Sequence, residues 1–89
     1  MTMNTVIKRN EIERYIKDKI SYYLLLYPDE YDTLEYTTDW ISKWNASPRE
    51  IEDLVNRIER NYDIKFDKDW QRYGTTIYDM ANYVLYKLG

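Results

Sequence analysis

A serine at the predicted start of a helix is the residue in this sequence best placed to do chemistry. In the segment NASPREIEDLV, residues 45–55, Ser47 stands directly before Pro48 and three residues before Glu50. This order is typical of a capping box with Pro at the first helical position, and the serine cap stabilises a helix by about 0.5–2 kcal/mol. The same hydroxyl, at the positive end of a helix dipole, could instead carry a phosphodiester. The segment alone leaves both roles open.

Two missing residue types exclude most other chemistry. The 89-residue chain contains no Cys and no His, which excludes thiol nucleophiles, disulfides, imidazole bases and Cys/His zinc sites. The acidic residues do not follow the spacing of a calcium-binding loop, so we assign no metal. No pair of the remaining acid–base groups is placed by its spacing on an apolar face. We therefore expect that the chain is not an enzyme on its own.

The charge and the N-terminal sequence indicate which partners to expect. A net charge of −3 argues against nucleic acid, which needs a basic face, and favours basic surfaces of partner proteins. The N-terminus lacks the features of a signal peptide, and the longest apolar run, residues 22–27, is far too short to span a bilayer. We therefore expect no membrane span and a cytoplasmic location.

Helical spacing of apolar residues predicts an all-α fold, a small irregular bundle of three to four helices. The first helix is predicted over residues 10–26 and ends because Pro28 disfavours helical geometry in the residue before it. Residues 28–46 are predicted to form a structured loop with a short helical turn near residues 39–43. The predicted division is an N-terminal extension at residues 1–9 and a single domain over residues 10–89.

The second and the last helix have the clearest start signals. The second helix follows Ser47, and the last begins at a Thr76 cap with Asp79 completing a second capping box. A short helical turn is predicted around residues 67–71 between them. The predicted core consists of Ile12, Ile16, Ile51, Leu54, Ile58, Ile64, Met80, Val84 and Leu85.

The second half of the chain resembles the acyl carrier protein family. The resemblance rests on LVNRIERNYDIKF, then DKDW, then TTIYDMANYVLYKL, and it covers residues 48–88 well and residues 11–46 loosely. It implies an acyl-carrier-like bundle in which a transferase attaches 4′-phosphopantetheine to a Ser at the start of helix two. An ungapped register places Pro48 at that position and Ser47 at the family's Asp. A one-residue insertion brings Ser47 to the attachment position.

Three functions follow as hypotheses. In the first, the chain is an acyl carrier that presents an acyl or aminoacyl group on 4′-phosphopantetheine at Ser47, with a phosphopantetheinyl transferase and acyl-handling enzymes as partners. In the second, it is a carrier-like domain without the prosthetic group that docks with proteins. In the third, it is an unrelated helical inhibitor or immunity-type protein. Because Pro48 takes the attachment position, we expect weak or absent modification.

Two sets of side chains near helix two bear on these hypotheses. Acidic residues would contact a partner, and tryptophans could block the space for a cargo. The resemblance implies a docking role for acidic residues on helix two, here Glu50, Glu52 and Asp53. A working carrier would need a groove that opens beside this helix and the last one. Trp40 and Trp44 could fill that groove, because each can bury about 150–250 Å².

Overall fold

The computed structural model describes the backbone of residues 3–89 and the side chains of residues 8–89. Within this range the chain forms five α-helices and one 3-10 turn, and no strand. These elements are α1 (Met3–Tyr23), α2 (Pro28–Thr33), α3 (Trp40–Lys43), α4 (Pro48–Tyr62), the 3-10 turn (Trp70–Tyr73) and α5 (Ile77–Leu88). The prediction of a small all-α bundle with three long helices is confirmed. None of the helices in residues 3–89 combines the length and the apolar character needed to cross a membrane.

The core forms where α1 packs against α4 and α5. Each long helix contributes apolar residues that recur every three or four positions, so they lie on one face. The side chains that are at most 1% exposed are Ile12, Ile16, Ile20, Leu34, Trp40, Leu54, Ile58, Ile77, Met80, Ala81 and Val84. Two predicted core members, Ile51 and Leu85, are only partly buried. They lie at the edges of their apolar stripes, and Ile51 faces a surface groove.

The first helix differs from its predicted range of 10–26 at both ends. α1 begins at Met3, so residues 3–9, predicted as an N-terminal extension, continue the helix. It ends at Tyr23 because Leu25 takes a left-handed conformation, with φ of 55°, and the Leu26 amide donates to the Ser21 carbonyl at 3.0 Å. This is the hydrogen bond of a Schellman helix end. The chain therefore leaves the helix before Pro28 can interrupt it.

The predicted loop 28–46 contains two helices where the sequence predicted one short turn. The turn near residues 39–43 is confirmed as α3, whereas α2 was missed because Pro28 was interpreted only as a helix terminator. Pro28 also starts α2, since a proline at the first helical position leaves no amide unpaired. The Glu30 carboxylate accepts hydrogen bonds from the Tyr27 amide at 3.0 Å and from Trp44 Nε1 at 3.1 Å. Glu30 thus ties α2 to the end of α3.

The segment between α2 and α4 packs against the start of α5. The Tyr78 amide donates to the Tyr36 carbonyl at 2.9 Å, which satisfies one of the free amides of the first turn of α5. Thr75 Oγ1 donates to Asp39 Oδ1 at 3.1 Å. These bonds hold the loop against the bundle, so the loop has a packing role.

The connector between α4 and α5 is anchored at both ends. Asp63 ends α4 with a φ of 53°, and the Ile64 amide donates to the Glu59 carbonyl at 3.1 Å. The 3-10 turn lies at Trp70–Tyr73, slightly later than the predicted turn at residues 67–71. The ring of Trp70, which is 8% exposed, meets that of Phe66 edge to face, with 5.4 Å between centroids. Phe66 also meets the ring of Tyr83 on α5, with 4.9 Å between centroids, so aromatic packing fixes this turn against the bundle.

The capped start predicted for the last helix is half correct. Thr76 Oγ1 accepts a hydrogen bond from the Asp79 amide at 3.0 Å, as a capping box requires. Among the described residues, the return bond from the Thr76 amide to the Asp79 carboxylate is not formed. That carboxylate lies against Gly74, where a Cβ would fall 2.3 Å from Asp79 Oδ2. Gly74, with φ of 111°, is therefore required both by its backbone conformation and by this contact.

Candidate functional site

Ser47 and Glu50 form the complete capping box that the sequence predicted. Ser47 Oγ accepts from the Glu50 amide at 3.2 Å, and Glu50 Oε1 accepts from the Ser47 amide at 2.8 Å. Ser47 is exposed and has extended backbone geometry, which suits an N-cap residue. The hydroxyl is therefore both accessible to solvent and engaged in holding the start of α4.

The fit of a phosphodiester to this helix start can be judged from the donors left free. Pro48 has no amide hydrogen, the Glu50 amide is bonded to Ser47 Oγ, and the Ile51 amide donates to the Ser47 carbonyl at 3.0 Å. The Arg49 amide is the remaining donor of this turn. In addition, the Glu50 carboxylate sits on the Ser47 amide and would repel a second anion at the same residue. The residues here fit 4′-phosphopantetheine poorly.

The three residues predicted to meet a partner differ in their surroundings. Glu50 is partly buried and its carboxylate is used in the capping box. Glu52 and Asp53 are exposed, and neither forms an ion pair within residues 8–89. Residues 48–53 contain three acids and one arginine, Arg49, which gives this half of α4 a net charge of 1 − 3 = −2. Two of the three predicted residues are thus available to a basic partner.

A surface groove of about 460 Å³ runs beside the first two turns of α4. Its apolar walls come from Pro48, Ile51 and Val55 on one side and from Trp70 on the other, and Glu52 and Gln71 add polar atoms. The carrier hypothesis required a groove beside Ile51, Val55 and the last helix, but no residue of the last helix forms the opposite wall here. The 3-10 turn forms that wall. We call this feature the α4 groove.

Trp40 and Trp44, which the sequence suggested could fill a groove between helix two and the last helix, do not line the α4 groove. Trp40 is 1% exposed and packs in the core, with its Nε1 donating to Met80 Sδ at 3.4 Å. Trp44 is partly buried, and its Nε1 donates to Glu30 Oε2. The Trp44 bond and the bond from the Tyr27 amide lower the pKa of Glu30, the Tyr27 bond contributing most. Both indoles therefore hold the segment 28–46 in place, while Trp70 lines the groove.

A second polar cluster, on α5 and the connector, was not predicted from the sequence. Tyr83 Oη donates to Asp67 Oδ2 at 2.8 Å and accepts from the Asp67 amide at 3.0 Å. Lys87 Nζ lies 3.0 Å from the same Asp67 Oδ2. Tyr83 and Lys87 are four residues apart on α5, a spacing that could have indicated a shared face. Nothing in the sequence indicated that Asp67 would meet them.

The cluster changes the acid–base properties of its members. The hydrogen bond from Tyr83, followed by that from Lys87, lowers the pKa of Asp67. The hydrogen bond to Asp67 raises the pKa of Lys87. Burial is the main cause that raises the pKa of the Tyr83 phenol. At neutral pH the cluster is therefore a charged carboxylate paired directly with a charged ammonium, with a neutral phenol bonded to the same carboxylate.

No protein-family model matches the chain, and a search of curated proteins returns no match.

Proposed function

We propose that this chain is a carrier-like protein-interaction domain that binds a basic surface of a partner enzyme through the first half of α4. In this proposal Ser47 is a helix cap, and the domain has no catalytic role of its own. The contact surface consists of the α4 groove and the exposed acids beside it. The domain would thus have the helix order of a carrier protein but no prosthetic group.

The observation that carries the proposal is the reciprocal bonding of Ser47 and Glu50. Free amide donors at a helix start stabilise a phosphodiester attached to a serine there. Here the hydroxyl and the nearby amide are bonded to each other, and a carboxylate occupies the serine's own amide. This arrangement supports a structural role for Ser47.

The surface beside this helix start supports binding of a protein. The α4 groove presents apolar atoms of Ile51, Val55 and Trp70, and the Glu52 carboxylate lies at its edge. Apolar contacts provide affinity, while unpaired charges around them select a partner of opposite charge and speed its approach. Glu52 and Asp53 add negative charge to a chain that is already at −3. A basic partner surface fits this pattern best.

The surroundings of the acid–base side chains support a domain without a catalytic role. Glu13 is the only charged side chain that is buried among residues 8–89, and it lies in the core side of α1 near Arg9. Asp67 and Lys87 are bonded to each other in the cluster on α5. Asp67 shares a surface cleft with Asp79, but that cleft is open and Asp67 is exposed, whereas carboxylate-based acid–base chemistry relies on a pair of carboxylates in an enclosed site.

Charge reversal on α4 tests the docking surface. A photoreactive amino acid is placed at Gln71, an exposed residue of the α4 groove, and cross-linked in the cells that produce the protein. We expect Glu52→Arg with Asp53→Arg to abolish the cross-linked product identified by mass spectrometry. The matched control is Asp32→Arg with Glu35→Arg, which reverses the same number of exposed charges away from α4. Equal cross-linking by both double variants would contradict the proposal.

The second candidate function is the acyl carrier. It is favoured by the exposure of Ser47 at the N-terminus of the 15-residue helix α4, where a transferase could reach the hydroxyl. Incubation with coenzyme A and a broad-specificity phosphopantetheinyl transferase, followed by intact-mass measurement, separates the two functions. Under our proposal no phosphopantetheine mass is added. Stoichiometric addition that Ser47→Ala abolishes would establish the carrier function instead.

A further inference from the structure

A cleft between α5 and the connector combines aromatic rings with carboxylates. Its volume is about 400 Å³, within the range of sites that bind small molecules or single side chains. One face of α5 forms one wall and the connector forms the other. The residues that line it are Asp67, Tyr73, Asp79, Asn82, Tyr83, Tyr86 and Lys87. We call it the tyrosine cleft.

The cleft already holds one cation between a ring and a carboxylate. Lys87 Nζ lies 5.6 Å from the centroid of the Tyr83 ring and 3.0 Å from Asp67 Oδ2. The ammonium is thus attracted both by the negative face of the ring and by the carboxylate. Lys87 and Asp67 neutralise each other in this ion pair, so neither has an unpaired charge to offer a ligand. Together they form part of the cleft wall.

A second cation at its rim is held in the same way. Arg72 Cζ lies 5.8 Å from the centroid of the Tyr73 ring, and Arg72 Nη1 lies 3.0 Å from Asp69 Oδ2. The planar guanidinium suits both contacts, because it stacks on aromatic faces and bonds carboxylates through several donors. In the cleft and at its rim, two cationic side chains are therefore each held between a tyrosine ring and a carboxylate.

A third acid and a third ring in the cleft have no such cation among residues 8–89. Asp79 is in no ion pair of the described side chains, and Tyr86, whose side chain is 73% exposed, has no cation over its ring there. The charges lining the cleft are Asp67, Asp79 and Lys87, which sum to −1 − 1 + 1 = −1. The unbalanced charge belongs to Asp79. Gly74 leaves room for this carboxylate, because a side chain at that position would displace it.

We propose that the tyrosine cleft binds an alkylguanidinium group, with Asp79 as the carboxylate and Tyr86 as the ring that receive it. Asn82 lines the same cleft and can accept a further N–H donor through its amide oxygen. A guanidinium is favoured over an ammonium because it can use a ring face, a carboxylate and an amide oxygen at once. The group can come from an arginine side chain of a protein or from a free small cation.

This site is independent of the docking role proposed for α4. It uses different residues and a different ligand, and the small probes that test it do not need the partner enzyme. Loss of docking in the α4 charge-reversal variant leaves the tyrosine cleft intact. Conversely, failure of guanidinium binding leaves the α4 result unchanged.

Nuclear magnetic resonance titration of the full chain tests the proposal. The probes are N-acetyl-arginine methylamide, which represents an arginine within a protein, and agmatine, which represents a free cation. The uncharged isostere N-acetyl-citrulline methylamide is the ligand control. We expect saturable shifts of the Asn82 and Tyr86 amides with at least one cation and none with citrulline. Stronger binding of the arginine amide assigns the site to protein partners, and stronger binding of agmatine assigns it to a free cation.

Two variants locate the binding. We expect Tyr86→Ala to weaken binding about two- to fivefold through loss of the ring, and Asp79→Asn to weaken it about two- to fivefold through loss of the charge. Tyr86 is exposed, so its variant keeps the fold even if Asp79→Asn disturbs the start of α5. Tyr22→Ala removes an exposed tyrosine from α1 and should change nothing. Equal response to citrulline, absence of saturation with both cations, or unchanged binding by Tyr86→Ala would overturn the proposal.

Discussion

The indole nitrogen of Trp40 donates a hydrogen bond to the sulfur of Met80 across 3.4 Å, and both side chains are at most 1% exposed. The contact joins α3 to the first turn of α5 although the residues are 40 positions apart. Trp40 thereby fills the interior between the segment 28–46 and the bundle with side-chain atoms and satisfies its polar N–H at the same time. The long connection before α4 is therefore part of the core.

Removing the indole should be among the most destabilising single changes in this chain. We expect Trp40→Ala to lower the free energy of unfolding by about 3–5 kcal/mol, because it leaves a large cavity in a packed interior. Urea denaturation followed by circular dichroism measures the loss. Trp44→Ala is the matched control and should cost less, since Trp44 is only partly buried. Similar losses of unfolding free energy for both variants would mean that the buried Trp40 contributes no more to stability than the partly buried Trp44.

The capping box of α4 should be measurable as a stability effect. We expect Ser47→Ala to reduce the free energy of unfolding by about 0.5–2 kcal/mol, because the Glu50 amide loses its acceptor. Ser47→Asn keeps a side-chain acceptor at the N-cap and should remain close to the unmodified chain. A double-mutant cycle with Glu50→Ala should show coupling, since each residue bonds the other's amide. Strictly additive effects would argue against the reciprocal bonding.

The end of α1 offers a stabilising substitution. Leu25 has a φ of 55° and is 82% exposed, so it carries the cost of a left-handed conformation without burying its side chain. Such a conformation costs an L-residue about 1–2 kcal/mol, of which glycine's extra freedom in the unfolded chain offsets about 0.5–1 kcal/mol. We expect Leu25→Gly to raise the free energy of unfolding by about 0.5–1 kcal/mol in thermal and urea denaturation. Leu25→Ala retains the strain, so it should bring no gain.

The buried carboxylate of Glu13 should make stability depend on pH. Glu13 is 4% exposed, and burial raises its pKa, against the opposing attraction of Arg9. Because the pKa is higher in the folded chain than in the unfolded chain, ionisation of Glu13 disfavours folding, and protonation on acidification removes that penalty. We expect Glu13→Gln to be more stable than the unmodified chain at pH 7, with an advantage that shrinks as the pH falls through the folded pKa.

Urea denaturation at pH 7 and at acidic pH checks this expectation. Glu11→Gln is the matched control, since Glu11 is an exposed acid on the same helix and should show no such advantage. A Glu13→Gln variant that is less stable at pH 7 would mean that the attraction between Glu13 and Arg9 outweighs the cost of burial.

The long helices could be predicted because their apolar residues recur at helical spacing and their starts carry local signals. Ser47, Pro48 and Glu50 lie within four positions, so the sequence shows the whole cap of α4. The helix α2 escaped prediction because Pro28 can both end one helix and begin another. The left-handed end at Leu25 carries no sequence signal, since leucine rarely adopts that conformation.

The grooves could be predicted only in part, because their walls come from residues distant in sequence. Under the carrier hypothesis a groove could be placed beside Ile51 and Val55, because they are neighbours on one helix face. Trp70 forms the opposite wall only because the connector folds back against α4, a contact that no local pattern encodes. The bonding of Asp67 with Tyr83 is similarly a long-range contact, over 16 positions.

The 3-10 turn at Trp70–Tyr73 contributes residues to two surface features. Trp70 and Gln71 line the α4 groove, and Tyr73 lines the tyrosine cleft, so three nearly consecutive residues serve two surfaces. A substitution that unfolds this turn would therefore remove part of both surfaces at once, whereas the variants on α4 and at Tyr86 each alter one.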